Sequence, residues 1–185
     1  MRAMRLASLV VLLCPAGAAW AQAAPPIKPG LWEVHSERLV DGQKAPDPAQ
    51  RMKDMPPEMR ARLEAAMKAR GVDASAAAGA GGAMKICLSR ESLEQGQWQG
   101  QQARCKTDVG ARSANRWTWH SVCTEPASET DGEARFDTPE RYTVQTRTTM
   151  SIKGQTRTSQ MTIDAKWLGS DCGTLKPVTA AGAKP

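Results

Sequence analysis

Alternating apolar and polar positions dominate this chain and predict strands. From Leu31 to Val40 the period is two: Trp32, Val34 and Ser36 fall on one face, Leu31, Glu33 and His35 on the other, with Trp32 and Val34 toward the core. Met84 to Leu88 reads as a further strand, and Ser89 can cap a single helical turn to Glu94. Two extended runs, Cys105 to Val109 and Arg116 to Cys123, flank a polar turn from Ala111 to Asn115. On the second run Trp117, Trp119, Ser121 and Cys123 share the face expected to be buried, and Thr118, His120 and Val122 share the other. The clearest alternation is Arg141 to Ile152, with Tyr142, Val144, Met150 and Ile152 on one side. Lys153-Gly154 turns it into Gln155 to Trp167, where Met161, Ile163, Ala165 and Trp167 share a side. The polar positions between are largely threonine, which suits a pleated surface half open to water. Roughly seven antiparallel strands in succession predict a mostly β fold, a meander forming a curved sheet or a partly open barrel.

One segment breaks the pattern. Asp41-Gly42 ends the first strand, Pro46 and Pro48 keep the chain irregular, and Pro56-Pro57-Glu58 starts a helix with Asp54 as its cap. Met59, Leu63, Ala66 and Met67 follow at helical spacing, and Gly71 stops the helix. Ala74 to Ala83 is almost wholly Ala and Gly, a composition expected neither to pack a core nor to hold a fixed turn. Residues 42–82 therefore read as a mobile insertion carrying one short helix.

The first residues have a different logic. Arg2 and Arg5 precede an apolar run from Leu6 to Leu13, and Ala19-Trp20-Ala21 is a small-x-small site, so residues 1–21 read as a signal peptide cleaved before Gln22. The run falls short of the about 20 residues that a permanent membrane helix needs. Cys14 would be lipidated in a lipoprotein, but Leu13 is bulky where such signals carry a small residue. The expected mature protein is one β-rich domain over residues 22–173, with a disordered tail from Thr174 to Pro185. An exported, periplasmic location follows.

Four of the five cysteines survive that cleavage: Cys87, Cys105, Cys123 and Cys172. An even number in an exported chain reads as a disulfide framework with three connectivities. Cys105 and Cys123 lie symmetrically about Ala114, so a hairpin there sets them opposite one another at bridging separation. Cys87 then pairs with Cys172 by elimination, closing a long loop for a nominal gain of roughly 4 kcal/mol. A zinc site made by all four lacks CxxC spacing.

Charge excludes one class of partner. Loss of Arg2 and Arg5 lowers the formal net charge from +6 to +4. With no block of five or six basic residues and few aromatics, nothing marks a nucleic-acid binder.

The order of landmarks carries a resemblance. Lys28-Pro29-Gly30-Leu31-Trp32-Glu33-Val34, Ile86-Cys87-Leu88, the hairpin from Cys105 to Cys123, a Thr/Met-rich hairpin and Gly169-Ser170-Asp171-Cys172-Gly173 occur in that sequence. The chain resembles the bacterial family catalogued as domain of unknown function 3617. The resemblance implies an exported, usually periplasmic, small β-rich protein and carries over no catalytic or binding residue.

Candidate chemistry is sparse. The two histidines, His35 and His120, lie in no catalytic signature and are expected on solvated strand faces, so no enzyme and no cofactor is expected. Met52, Met55, Met59, Met67 and Met84 concentrate in or beside the insertion. Thioethers there read first as packing, then as an adaptable surface for a protein, a lipid or a small apolar ligand, and lastly as Cu(I) ligands. Arg60, Arg62, Lys68 and Arg70 make the helix basic on its other side, which fits peripheral contact with an anionic membrane. Trp98, in a polar run, has no packing explanation. The expected function is an exported, non-enzymatic binding or interaction protein whose partner or ligand surface comprises Met55, Met59, Leu63, Met67 and Trp98. Periplasmic copper handling is the alternative.

Overall fold

The computed structural model describes residues 24–46, 48–74, 83–94, 105–152 and 154–178. The expected signal segment with Cys14, residues 75–82 of the Ala/Gly stretch, Trp98 and the chain beyond Val178 lie outside the described residues. In chain order the elements are β1 (Gly30–Val40), β2 (Gln43–Lys44), α1 (Pro48–Lys53), α2 (Pro57–Ala69), β3 (Val72–Asp73), β4 (Met84–Leu88), α3 (Arg90–Glu94), β5 (Cys105–Arg112), β6 (Arg116–Thr124), β7 (Ala127–Thr138), β8 (Arg141–Ile152) and β9 (Gln155–Gly169).

Tight turns join β5 to β9 into an antiparallel meander, and β1 then lies along β9, giving the order β3-β4-β1-β9-β8-β7-β6-β5. The short β2 folds back on β1. β3 and β5 end the sheet at opposite edges, so the expected mostly β, antiparallel sheet is found and it is not closed into a barrel. No described helix is long and apolar enough to cross a membrane.

Register assigns every side chain to a face, because residues directly opposite on antiparallel strands point the same way. Successive rows on the core face read Trp32 with Trp167; Val34, Ala165, Tyr142 and Phe136; then Ile163, Val144, Ala134 and Trp117. Leu88 of β4, Leu93 of α3 and Ile27 ahead of β1 belong to the same buried cluster. Trp32 and Tyr142 rings lie 5.0 Å apart between centroids, and Trp117 meets Phe136 edge-on at 5.4 Å. The indole N–H groups of Trp32, Trp117 and Trp167 donate to the carbonyls of Lys28, Ser113 and Pro29, each at 3.1 Å, so three large rings are anchored at no polar cost.

As far as it is described, the segment 42–82 takes more part in the sheet than its composition suggests. It holds two helices where one was expected, and its ends add β2 to β1 and β3 to β4. Asp54 does not cap α2; Pro56 occupies that position without a side-chain bond, and Asp54 accepts instead from Gln50 at 3.2 Å. Arg60 reaches back to the carbonyls of Met52 and Lys53, each at 2.8 Å, and so satisfies the end of α1. Ala74, expected in a segment unable to pack, is buried with Met52 in a small second cluster that Met67 and Met84 join.

Both disulfides join the expected partners. Cys105 faces Cys123 across β5 and β6 with Cα atoms 4.0 Å apart, and Cys87 bridges to Cys172 at 5.6 Å. The tail differs from expectation as far as it is described. Leu175 is buried, and the Val178 amide donates to the Cys87 carbonyl at 2.8 Å. Gly71, at φ +83°, admits this segment, since a Cβ there would overlap the Lys176 carbonyl.

Candidate ligand-binding cleft

The core face changes chemistry along its length. Beyond the aromatic rows comes a row crossing five strands, Ser159, Thr148, Thr130, Ser121 and Thr107, in place of aliphatic side chains. These hydroxyls bond one another, Thr130 to Thr148 at 2.9 Å and Thr107 to Ser121 at 2.8 Å. Paired hydroxyls can face an interior without unmet bonds.

At the β1/β8/β9 end of this half lies a cleft of about 500 Å³. Val40 and Arg38 come from β1, Met150 and Ile152 from the end of β8, and Gln155, Arg157 and Ser159 from β9. Ser159 is buried, whereas Ile152 is 48% exposed although it shares the face of the core residues. Arg38 Nε donates to Ser159 Oγ at 2.8 Å, and Arg157 donates to Asp41 Oδ2 at 3.0 Å. Asp41 also accepts from the Thr158 amide at 2.9 Å, which ties the β1–β2 turn to β9 and holds the rim of the cleft. The size lies within the range of about 300–1,000 Å³ usual for small-molecule sites.

The opposite face of the sheet is charged. A broad groove of about 790 Å³ runs across it beside His120, Asp131, Glu133 and Arg147. His120 Nδ1 lies 2.8 Å from Asp131 Oδ1, and that hydrogen bond is the main cause holding the imidazole pKa above its usual 6.5. Glu133 bonds Arg116 and Arg135, each at 2.6 Å, and these bonds hold its carboxyl below the usual range. Three of the groove's ionic groups, His120, Asp131 and Glu133, are thus already matched to a counter-charge. His35 sits on this face too, 3.6 Å from Glu33. The sheet therefore separates both histidines from the core-face hydroxyl row, and among the described residues no three His, Cys, Asp or Glu groups are placed to hold a metal.

The expected helix surface is divided. Met67 packs with Met52, Ala74 and Met84; Met55 is half-buried; Met59 (57% exposed) and Leu63 face solvent; Trp98 lies outside the described residues. The anticipated Met59 and Met67 packing stripe therefore holds for Met67 alone. Arg38, Val40, Arg157 and Ser159 were not singled out by sequence. Their signal is parity: Arg38 and Val40 continue the Trp32 and Val34 positions of β1, and Arg157 and Ser159 continue the Met161, Ile163, Ala165 and Trp167 positions of β9.

Residues 27–172 match the model of the family described as "Protein of unknown function (DUF3617)". The chain belongs to the DUF3617 family. The DUF3617 match runs from a core isoleucine, Ile27, to Cys172 of the long bridge, and so encloses the whole sheet. A relative described as "Uncharacterized protein in lpd-3 5'region" from Pseudomonas putida is 29% identical over 116 residues, covering 60% of this chain and 77% of that protein. No solved structure matches this DUF3617 protein.

Proposed function

We propose that this protein is exported to the periplasm and acts there without catalysis, binding an apolar or amphiphilic ligand in the cleft at the end of its core face. The observation that carries the reading is that Val40, Met150 and Ile152 continue the core face yet are only partly covered, Val40 and Met150 half-buried and Ile152 exposed, while the core ends at a hydroxyl row behind them. Apolar side chains left open in a concave site favour a ligand that removes them from water. Two disulfides agree with folding in an oxidising compartment, and residues 1–21 have the pattern of an export signal. Separation of the hydroxyl row from both histidines supports a non-catalytic role.

The neutral fluorophore N-phenyl-1-naphthylamine tests this reading. Its emission is expected to rise with the native protein and to fall to background with Val40→Asp or Ile152→Asp, but not with Met59→Asp. Loss with Met59→Asp alone would move the ligand to the helix surface.

A second reading, copper handling, is favoured by one observation: Met52, Met67 and Met84 meet in one cluster, and thioethers select Cu(I). A competition assay against a Cu(I) chelator tests it. Equal competition by the native chain and by Met52→Leu/Met67→Leu/Met84→Leu would reject it.

A further inference from the structure

The aliphatic wall of the cleft carries two cations. Arg38 is registered opposite Met161, four positions along β9 from Arg157, and its bond to Ser159 brings the guanidinium into the row between them. Its bonded partner is a neutral hydroxyl, and among the described residues it has no carboxylate partner. Arg157 does have one, Asp41, but both side chains are largely exposed, at 52% and 42%, where water screens the pair. Among the described residues Asp41 is thus the single acid bonded to either arginine, which leaves the two guanidinium groups with one positive charge in excess. Guanidinium forks match oxyanions in planar, two-point geometry. The same site presents Val40, Met150 and Ile152 to anything that enters beside those forks.

We infer that the cleft selects a monomeric single-chain amphiphile with an oxyanion head, seated with the head on Arg38 and Arg157 and the chain along Val40, Met150 and Ile152. This deepens the binding reading above and rests on it. The occupant is a free amphiphile molecule and not a bilayer surface, because the two guanidinium groups line the same concave cleft as the aliphatic wall, at core-face positions of β1 and β9.

Calorimetric titration of the full mature chain with decanoate and with 1-decanol separates head from chain. The native protein is expected to hold decanoate about tenfold more tightly than decanol, the scale of a single charge-assisted hydrogen bond. Arg38→Met/Arg157→Met, which keeps the apolar stems, is expected to abolish that preference and leave decanol binding intact. Equal binding of the two ligands by the native chain would overturn the inference while leaving the cleft a ligand site. Binding of neither would overturn both. Attachment only to vesicles of anionic phospholipid, unchanged by the double substitution, would assign the charge to a membrane and overturn the inference. If the double variant does not fold, Arg157→Met alone, at an exposed side chain, is expected to reduce the preference, and an unchanged preference would count against the inference.

Discussion

The indole of Trp119 fills the space that a Cβ on Gly132 would need, so one of the core's largest side chains is accommodated only because the facing strand carries no side chain there. Gly132→Ala is expected to destabilise the fold by about 1–3 kcal/mol through overpacking. Trp119→Ala in that background should cost less than it does alone. A chemical-denaturation double-mutant cycle checks the coupling; additive losses would show that the two positions do not oppose one another.

The same pair explains why β7 was not read from the sequence. Its core-face positions are Ser128, Thr130, Gly132, Ala134 and Phe136, of which only the last is large and apolar. The strand is held by its neighbours, Trp119 covering the glycine and Thr148 bonding Thr130, and not by an alternation of its own. By contrast β1, β6, β8 and β9 carried their aromatic and aliphatic residues at a period of two, and their faces and both cysteine pairings were legible. The cleft was only half legible. Met150 and Ile152 declared their side of β8, but Arg38 and Arg157 are polar residues on core-face positions, and their place depends on how β1 registers against β9. The helix stripe misled because Met59 and Met67 differ in what lies beneath them, which local spacing does not specify.

His120 should titrate above 6.5, because its hydrogen bond to Asp131 favours the protonated ring. With the folded value raised, the associated stabilisation is present below the unfolded value and is lost as pH rises through the folded one. Both side chains are exposed, so the effect on stability is small and the titration itself is the observable. In an NMR titration the imidazole midpoint should lie above 6.5 and fall back toward it in Asp131→Asn. A native midpoint at or below 6.5 would contradict the pairing.

The two bridges should differ in worth. Cys87 and Cys172 are separated by 85 positions and Cys105 and Cys123 by 18. On loop entropy, serine replacement of the first pair should cost about 4 kcal/mol and of the second about 3 kcal/mol. The first also anchors β4 near the segment after Gly173, which adds to its share. Urea midpoints of the two double variants give the comparison, and a larger loss from the hairpin bridge would reverse the assignment of roles.

Truncation after Gly173 should destabilise the chain, since it exposes the surface covered by Leu175 and removes the Val178 bond to Cys87. Burial of one leucine sets the scale at about 1.5–3 kcal/mol. An unchanged melting temperature would show that this segment contributes nothing to the fold.

Binding in the cleft is tested most directly by methionine-methyl NMR, since Met150 lines the cleft and Met52, Met67 and Met84 share a separate cluster. On titration with N-phenyl-1-naphthylamine the Met150 methyl signal should shift under the aromatic rings, while those of Met52, Met67 and Met84 stay in place. Shifts confined to Met55, Met59 and Met67, with Met150 unmoved, would put the ligand on the helical segment and contradict the account.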